Sequence, residues 1–304
     1  MTTSLASSHG RFAGHVIAGH DRTKFHVTIY LNRALSSWAM EEALQSGSAD
    51  RVVIILGKDT REVVELVRRD EIDILVDLAG HSRNHRLDVF ASSAAPVQAT
   101  WIGYPNTTGL RCVQYRITDE IVDPPSSTQK FAETLYRLPQ TFLCYPVASI
   151  VREPETPTVA PPPFEAKGFV TFGSFNRVVK LHEACVATWA RLLLAVEGSR
   201  LVLKSSSSFA RCEVREEWLG KFEALGVPPE RIMLLPPQTD AKLHLSSYAE
   251  VDIALDAFPY GGTTTTVEAV MMGCPVVVMQ APADVAFHAW NVGRGLLTSM
   301  GLQV

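Results

Sequence analysis

The sequence predicts an α/β protein made of two domains, each with a doubly wound parallel sheet. Its 304 residues exceed what one hydrophobic core usually organises. Short β-branched or leucine-rich runs alternate with amphipathic helical patterns, which is typical of parallel strands joined by crossover helices. A proline-rich stretch, 151–164, separates two such series, and proline continues neither a helix nor a central strand.

The composition excludes several classes of protein. Hydrophobic residues make up 46% and charged residues 20%, as in globular proteins, and no apolar run is long enough to cross a bilayer. A net charge of -4 with scattered Lys and Arg offers no basic surface to a polyanion. We therefore expect no membrane span and no nucleic-acid partner. The sequence contains no C-x-x-C pair, G-x-S-x-G elbow, H-E-x-x-H pair or Walker loop, so we expect no metal site and no hydrolase or kinase chemistry.

The first domain is predicted over residues 1–150. Its expected strands are 25–30, 51–56, 73–78 and part of 95–101. Helices are expected around 38–45 and over 60–69. The strands precede their helices in the order of a Rossmann-like unit.

The second domain is predicted over residues 165–304, after a linker at 151–164. Its expected strands are 169–175, 199–204, 231–236, 252–256 and 275–279. Helices are expected at 182–196, 213–225, 243–249 and 267–273. Two Rossmann-like domains in tandem are expected to enclose a cleft.

A glycine and threonine loop at 261–266 is the strongest candidate site. Glycines let backbone amides approach a ligand, and threonines serve well as helix caps with available hydroxyls. A helix N-terminus stabilises phosphate, and open α/β sheets place ligands at the carboxyl ends of strands. One threonine would suffice for an ordinary cap, so we predict a phosphate site. Its residues are Gly261, Gly262, Thr263, Thr264, Thr265 and Thr266.

Three further residues of the second domain are candidates for the same site. Glu268 is expected in the first helical turn, where it could meet the helix dipole or bind a ribose. Lys180 follows a predicted strand and could neutralise a diphosphate leaving group, or be an ordinary solvated lysine. His244 could stack on a base or bind phosphate, or be a surface histidine.

The first domain supplies candidates for a general base. Asp77 and His81 flank the end of a buried strand, and either could accept the proton of an acceptor hydroxyl. The alternative is local structure, in which Ser82 or Asn84 caps the following helix.

Seven motifs occur in one order over nearly the entire chain. They are DILVDLAGHS (73–82), APVQATWIGYPNTTGL (95–110), YRITDEIVDPP (115–125), LPQTFLCY (138–145), FVTFGSFN (169–176), DIALDAFPYGGTTTTVEAVMMGCPVV (252–277) and HAWNVGRGLLTSMGL (288–302). Together they resemble glycosyltransferase family 41, the O-GlcNAc transferases and SPINDLY proteins. The resemblance implies a two-lobed GT-B fold and metal-independent, inverting transfer from a nucleotide sugar without a cofactor. It also implies Ser/Thr hydroxyls of cytoplasmic or nuclear proteins as acceptors.

The resemblance also assigns roles within the donor site. Lys180 matches the family's essential lysine, which neutralises the donor diphosphate. Thr264 and Thr265 match the threonine pair that binds phosphate. Glu268 matches an acidic residue on the ribose, and His244 matches a histidine near the base. Asn176, at the end of FVTFGSFN, is expected in the same site.

Two departures from the O-GlcNAc transferases bear on the donor. Thr263 stands where they have histidine in an N-G-H-T-T-G motif, and Asp73 stands where they carry a histidine once proposed as base. Both are more similar to SPINDLY, whose donor is GDP-fucose. GDP-fucose and UDP-GlcNAc therefore both remain candidate donors. His9 is the residue nearest to the family's catalytic histidine of the first lobe.

The resemblance covers the catalytic region and not the family's tetratricopeptide repeats. We expect the family's first strand and final helices to be unmatched as well. The leading hypothesis is an active protein O-glycosyltransferase. The alternatives are a nucleotide-binding pseudoenzyme or regulatory module, and a nucleotide-sugar epimerase, which would require additional acidic residues in the cleft.

Overall fold

The chain forms two compact units. The computed structural model describes residues 8–33, 49–153, 156–205, 208–238, 240–282 and 287–302. The units are Met1–Pro146 and Val147–Val304, so the boundary precedes the proline-rich stretch. Arg152 ends one helix and Pro163 begins another, because the fixed φ of proline suits the first helical position. The extended stretch is therefore shorter than the predicted linker.

The first unit contains parallel strands with crossover helices. Its elements are α1 (Ser8–Ala18), β1 (Thr28–Leu31), β2 (Arg51–Ile54), α2 (Thr60–Arg69), β3 (Ile74–Asp77), α3 (Leu87–Ala91), β4 (Val97–Trp101), β5 (Tyr115–Asp119) and β6 (Thr134–Leu138). β1 pairs with β2, and β3, β4, β5 and β6 form a second parallel sheet in that order. The helix predicted around 38–45 lies outside the described residues.

Helix α2 shows how local sequence positions these strands. Asp59 accepts a hydrogen bond from the Glu62 amide at 2.8 Å, and the Glu62 carboxylate accepts one from the Asp59 amide at 2.7 Å. This capping box starts the helix where the sequence predicts it. Val63 and Val67 on its apolar face are buried in one core with Leu75 of β3. The helix therefore holds β3 and its carboxyl end in place.

The second unit is a doubly wound sheet. Its elements are α4 (Val147–Arg152), α5 (Pro163–Lys167), β7 (Thr171–Ser174), α6 (Glu183–Ala195), β8 (Arg200–Lys204), α7 (Cys212–Glu223), β9 (Ile232–Leu235), α8 (Ala241–Ser246), β10 (Ile253–Leu255), α9 (Thr264–Met271), β11 (Val276–Val277) and α10 (His288–Ser299). Leu201 and Leu203 of β8 are buried in one core and Val202 in another. Both faces of the sheet are therefore covered, as predicted. None of the described helices is long and apolar enough to span a membrane.

The strand order creates a switch point in the second unit. All strands are parallel in the order β11, β10, β7, β8, β9. The chain therefore adds β8 and β9 on one side of β7 and then returns to the other side for β10. Open α/β sheets bind ligands outside the carboxyl ends of the strands at such a point. Here these ends are Ser174 of β7 and Leu255 of β10.

Candidate functional site

The buried carboxylate of Asp256 organises the loop that follows β10. Its Oδ1 accepts hydrogen bonds from the Gly262 amide at 2.6 Å, the Ala257 amide at 2.9 Å and the Asn176 side-chain amide at 3.1 Å. Burial raises the pKa of Asp256, while the Gly262 hydrogen bond and the charge of Lys180 oppose that rise. Sequence reasoning did not single out Asp256. The sequence feature that could have identified Asp256 is an acidic residue at the end of a predicted buried strand, shortly before a pair of glycines.

The two glycines allow close packing around this carboxylate. A Cβ on Gly262 would lie 2.4 Å from Thr265 Oγ1 and 2.9 Å from Asp256 Oδ1, and one on Gly261 would lie 3.0 Å from Asp256 Oδ2. The Gly261 amide donates to the Ala289 carbonyl at 3.1 Å. Both glycine amides thus donate within the chain, and their part in ligand binding stays a prediction. Gly262 is needed because a side chain would not fit there, and a side chain at Gly261 would be tightly packed.

Helix α9 begins within the threonine run. Thr263 is its N-cap residue and makes no side-chain cap hydrogen bond, which differs from the ordinary cap considered above. The amides of Thr264, Thr265 and Thr266 lie in the first turn, where a helix provides them no acceptor. Thr265 Oγ1 donates to Asn176 Oδ1 at 3.3 Å, and Thr266 Oγ1 is buried without a partner among the described residues. The helix N-terminus therefore presents donors at the switch point.

Lys180 lies directly beside this loop. It ends a short 3-10 turn after β7, and its Nζ donates to the Gly261 carbonyl at 2.8 Å. The same ammonium lies 4.1 Å from the centre of the Tyr260 ring. Desolvation lowers the pKa of Lys180 to about 8, against the opposing charge of Asp256. The alternative of an ordinary solvated lysine is therefore wrong.

His244 and Glu268 form a pair in the structure. His244 Nε2 lies 3.0 Å from Glu268 Oε2, and the Glu268 side chain is buried. Because α9 starts at Thr264, Glu268 lies in the second turn, and the prediction that it meets the dipole in the first turn is wrong. His244 also contacts Lys204, whose Nζ lies 2.7 Å from its Nδ1. His244 is therefore not an isolated surface histidine.

The carboxylate of Asp77 in the first unit accepts three hydrogen bonds. It accepts from the Ala79 amide at 3.0 Å, the Gly80 amide at 2.8 Å and the Thr100 hydroxyl at 2.8 Å. These contacts give Asp77 a structural role in the loop after β3. Its assignment as a general base stays a prediction.

The following helix does not use the predicted caps. Helix α3 has Arg86 as its N-cap residue, with no side-chain cap hydrogen bond. Capping by Ser82 or Asn84 is therefore not observed. The loop instead turns at Asn84, whose φ of 63° is left-handed.

The loops after β3 and β4 pack closely through two glycines. A Cβ on Gly80 would lie 2.2 Å from the Tyr104 Cβ, and one on Gly103 would lie 2.1 Å from the Leu78 carbonyl oxygen. Arg116, on the neighbouring strand, donates to the Tyr104 carbonyl at 2.8 Å. The second loop is thereby fixed against the first.

His81 lies on this pair of loops. Its ring is at 5.3 Å from the Tyr104 ring, and its Nε2 lies 2.9 Å from the Thr108 carbonyl oxygen. A carbonyl can only accept, so Nε2 carries the hydrogen and Nδ1 is the acceptor of the neutral ring. His81 therefore has the chemistry of a base. The backbone of His9 lies in α1, but its side chain is outside the described residues, so its role stays a prediction.

Solved structures define the class of this fold. A lipopolysaccharide outer core galactosyltransferase aligns with 92% of this chain at 12% identity and a TM-score of 0.55, covering 80% of its own chain. A mutant of the Thermobaculum terrenum O-GlcNAc transferase aligns with 99% of this chain at 36% identity and a TM-score of 0.88, covering 55% of its own. The fold is that of the GT-B glycosyltransferases.

Sequence comparisons define the family. The family model for Glycosyl transferase family 41 matches residues 10–152. A probable UDP-N-acetylglucosamine–peptide N-acetylglucosaminyltransferase SPINDLY of Solanum lycopersicum is 43% identical over 94% of this chain. The corresponding SEC protein of Arabidopsis thaliana is 24% identical over 88% of it. The chain belongs to glycosyl transferase family 41. It spans 30% of the tomato relative and 27% of the SEC protein.

Proposed function

We propose that this chain binds a nucleotide sugar and transfers its sugar to Ser/Thr hydroxyls of proteins. The observation that carries the proposal is the position of Lys180. Its ammonium is bonded to Gly261 beside the N-terminus of α9, at the switch point of a GT-B unit. A lysine and a helix N-terminus together are suited to bind a diphosphate.

The proposed reaction is a displacement at the anomeric carbon. The acceptor oxygen forms the new bond to that carbon, and the bond from the carbon to the diphosphate oxygen breaks. Negative charge develops on the leaving diphosphate, where Lys180 and the amides of Thr264, Thr265 and Thr266 stabilise it. The acceptor's proton passes to a general base. His81 suits this role better than Asp77, whose carboxylate already accepts three hydrogen bonds.

The nucleoside of the donor is proposed to bind next to His244 and Glu268. The two side chains are bonded to each other on the flank of α9, one turn beyond the proposed diphosphate position. A carboxylate accepts hydrogen bonds from ribose hydroxyls, and an imidazole ring can stack on a base. Donor binding thus uses residues of the second unit.

The identity of the donor rests on two opposed observations. The matched relatives are named for transfer from UDP-N-acetylglucosamine, whereas Thr263 and the G-T-T-T-T loop resemble the GDP-fucose pattern. Thermal shifts with GDP and with UDP distinguish the two, because at equal concentration the ligand that binds more tightly stabilises the folded state more. The nucleotide with the larger shift identifies the donor class.

A transfer assay tests the proposed activity. The folded protein is incubated with labelled GDP-fucose or UDP-GlcNAc and a Ser/Thr peptide, with the Lys180→Met variant as control. Label in the peptide with the wild type alone supports the proposal. No transfer from either donor by a folded sample overturns it.

A nucleotide-binding pseudoenzyme is the second candidate function. It is favoured by one observation: the proposed donor contacts all come from the second unit. Calorimetry with GDP and UDP, combined with the transfer assay, separates the two candidates. Binding without turnover supports the pseudoenzyme.

A further inference from the structure

Lys204 is a buried lysine next to the proposed nucleoside site. It ends β8, and only 4% of its surface is exposed. Its Nζ lies 2.7 Å from His244 Nδ1, 3.2 Å from Ser247 Oγ and 3.4 Å from the His244 carbonyl oxygen. The ammonium also lies 5.1 Å from the centre of the Phe175 ring. Lys204 therefore directs its charge at the histidine.

These contacts determine where the imidazole carries its hydrogen. A lysine ammonium can only donate, so His244 Nδ1 must accept. The hydrogen of the neutral ring is then on Nε2, which faces the Glu268 carboxylate at 3.0 Å. A second hydrogen on Nδ1 would face the ammonium at 2.7 Å. Lys204 thus donates to His244 Nδ1, and His244 Nε2 donates to Glu268.

We propose that Lys204 is a positioning residue of the nucleotide site, which holds His244 as its Nε2–H tautomer and thereby orients Glu268 toward the nucleoside. The expected effect on nucleotide binding rests on the proposed function, but the tautomer of His244 can be measured without any nucleotide. Lys204 acts through His244.

The burial of Lys204 argues for such a role. Desolvation lowers the pKa of Lys204 to about 8, although the charge of Glu268 opposes this. An apolar side chain of similar length would avoid that desolvation, so packing alone does not explain an ammonium at the end of β8. Its three polar contacts are all with the segment that carries His244.

Nitrogen-15 NMR of the His244 ring in the nucleotide-free protein is the first measurement. The expected wild-type spectrum at neutral pH is that of the Nε2–H tautomer. In Lys204→Met the ammonium no longer excludes a hydrogen from Nδ1, while the Glu268 carboxylate still accepts from Nε2–H, so the spectrum is expected to change toward that of the doubly protonated ring. Lys204→Arg retains a cationic donor and is expected to keep the wild-type pattern. A wild-type Nδ1–H tautomer overturns the proposal, and this result does not depend on whether any variant folds.

Nucleotide affinity is the second measurement. Calorimetry with GDP and with UDP is expected to show about tenfold weaker binding by Lys204→Met, because a Glu268 that is no longer oriented loses one charge-assisted hydrogen bond to the nucleoside. KM for the donor should rise by a similar factor while kcat is retained. Lys167→Met, which removes a lysine from a partly exposed ion pair with Glu250, is the matched control.

The outcomes separate this proposal from the proposed function. A folded Lys204→Met variant with wild-type tautomer and wild-type affinity overturns the positioning role, and a purely structural role predicts a lower Tm with these two properties unchanged. If the wild type binds neither GDP nor UDP, the proposed function fails. The tautomer measurement then still decides whether Lys204 positions His244.

Discussion

The ammonium of Lys180 donates a hydrogen bond to the carbonyl oxygen of Gly261 at 2.8 Å, across 81 residues of sequence. β7 and β10 are neighbours in the sheet, so the segments that follow them meet at one edge. A diphosphate oxygen is a stronger acceptor than a peptide carbonyl. Donor binding is therefore expected to exchange the Gly261 contact for a phosphate contact, with little movement of Lys180.

Lys180→Met is expected to abolish most of the transfer activity without unfolding the protein. Loss of one preorganised donor at a developing oxyanion costs about 10²- to 10³-fold in kcat. The Tm should stay constant or rise, because desolvation of the ammonium is removed along with its charge. Transfer assays and thermal unfolding measure both effects, with Lys167→Met as the control. Activity within tenfold of wild type contradicts the leaving-group role.

The pH profile of kcat/KM is expected to fall on the alkaline side from about pH 8. Lys180 must carry its proton to stabilise the diphosphate, and desolvation lowers its pKa to about 8 in the free protein. A bound diphosphate favours the ammonium, so the alkaline limb of kcat should lie at higher pH than that of kcat/KM. Initial rates from pH 6 to 10 test this order. Coincident limbs, or limbs in the reverse order, contradict it.

Gly262→Ala is expected to destabilise the loop and weaken nucleotide binding. The new Cβ would lie 2.4 Å from Thr265 Oγ1 and 2.9 Å from Asp256 Oδ1, so the helix N-terminus must shift. Overpacking of this kind costs about 1–3 kcal/mol. Gly220→Ala in α7 is the matched control, because its Cβ meets no atom within 4 Å and a helical alanine stabilises by about 0.5–1 kcal/mol. Urea unfolding and calorimetry provide the comparison. Equal effects of the two substitutions would mean that Gly262 has no packing role.

Asp77→Asn separates a structural role from a catalytic one. The Ala79 amide donates to Oδ1, whereas the Gly80 amide and the Thr100 hydroxyl donate to Oδ2. Asparagine keeps only one acceptor oxygen, so it can retain the bonds of one of these oxygens but not of both. The free energy of unfolding is therefore expected to fall by about 1–3 kcal/mol. Asp240→Asn is the control, since asparagine can still cap α8. A large loss of kcat with unchanged stability would instead identify Asp77 as the base.

Strands β5 and β6 are elements of the first unit that the hydrophobic pattern of the sequence did not predict. Arg116, Thr118 and Asp119 interrupt the apolar pattern of β5. The side chains of Thr118 and Asp119 are buried and hydrogen-bonded: Asp119 accepts from the Ile121, Val122 and Phe142 amides. A periodicity argument cannot anticipate partners contributed by later loops. Helix α2, with its own capping box, was predicted at its observed bounds for the opposite reason.

The amino-acid sequence by itself determined the alternation of strands and helices, the glycine and threonine loop, and the membership of the family. These depend on short-range patterns of hydrophobicity, capping and motif order. Only the tertiary structure decided that Gly262 donates to Asp256, that Glu268 lies one turn deeper than predicted, and that Lys204 contacts His244. Such contacts depend on which strands are neighbours in the sheet. That order is set by long-range packing of the whole unit, which no local pattern contains.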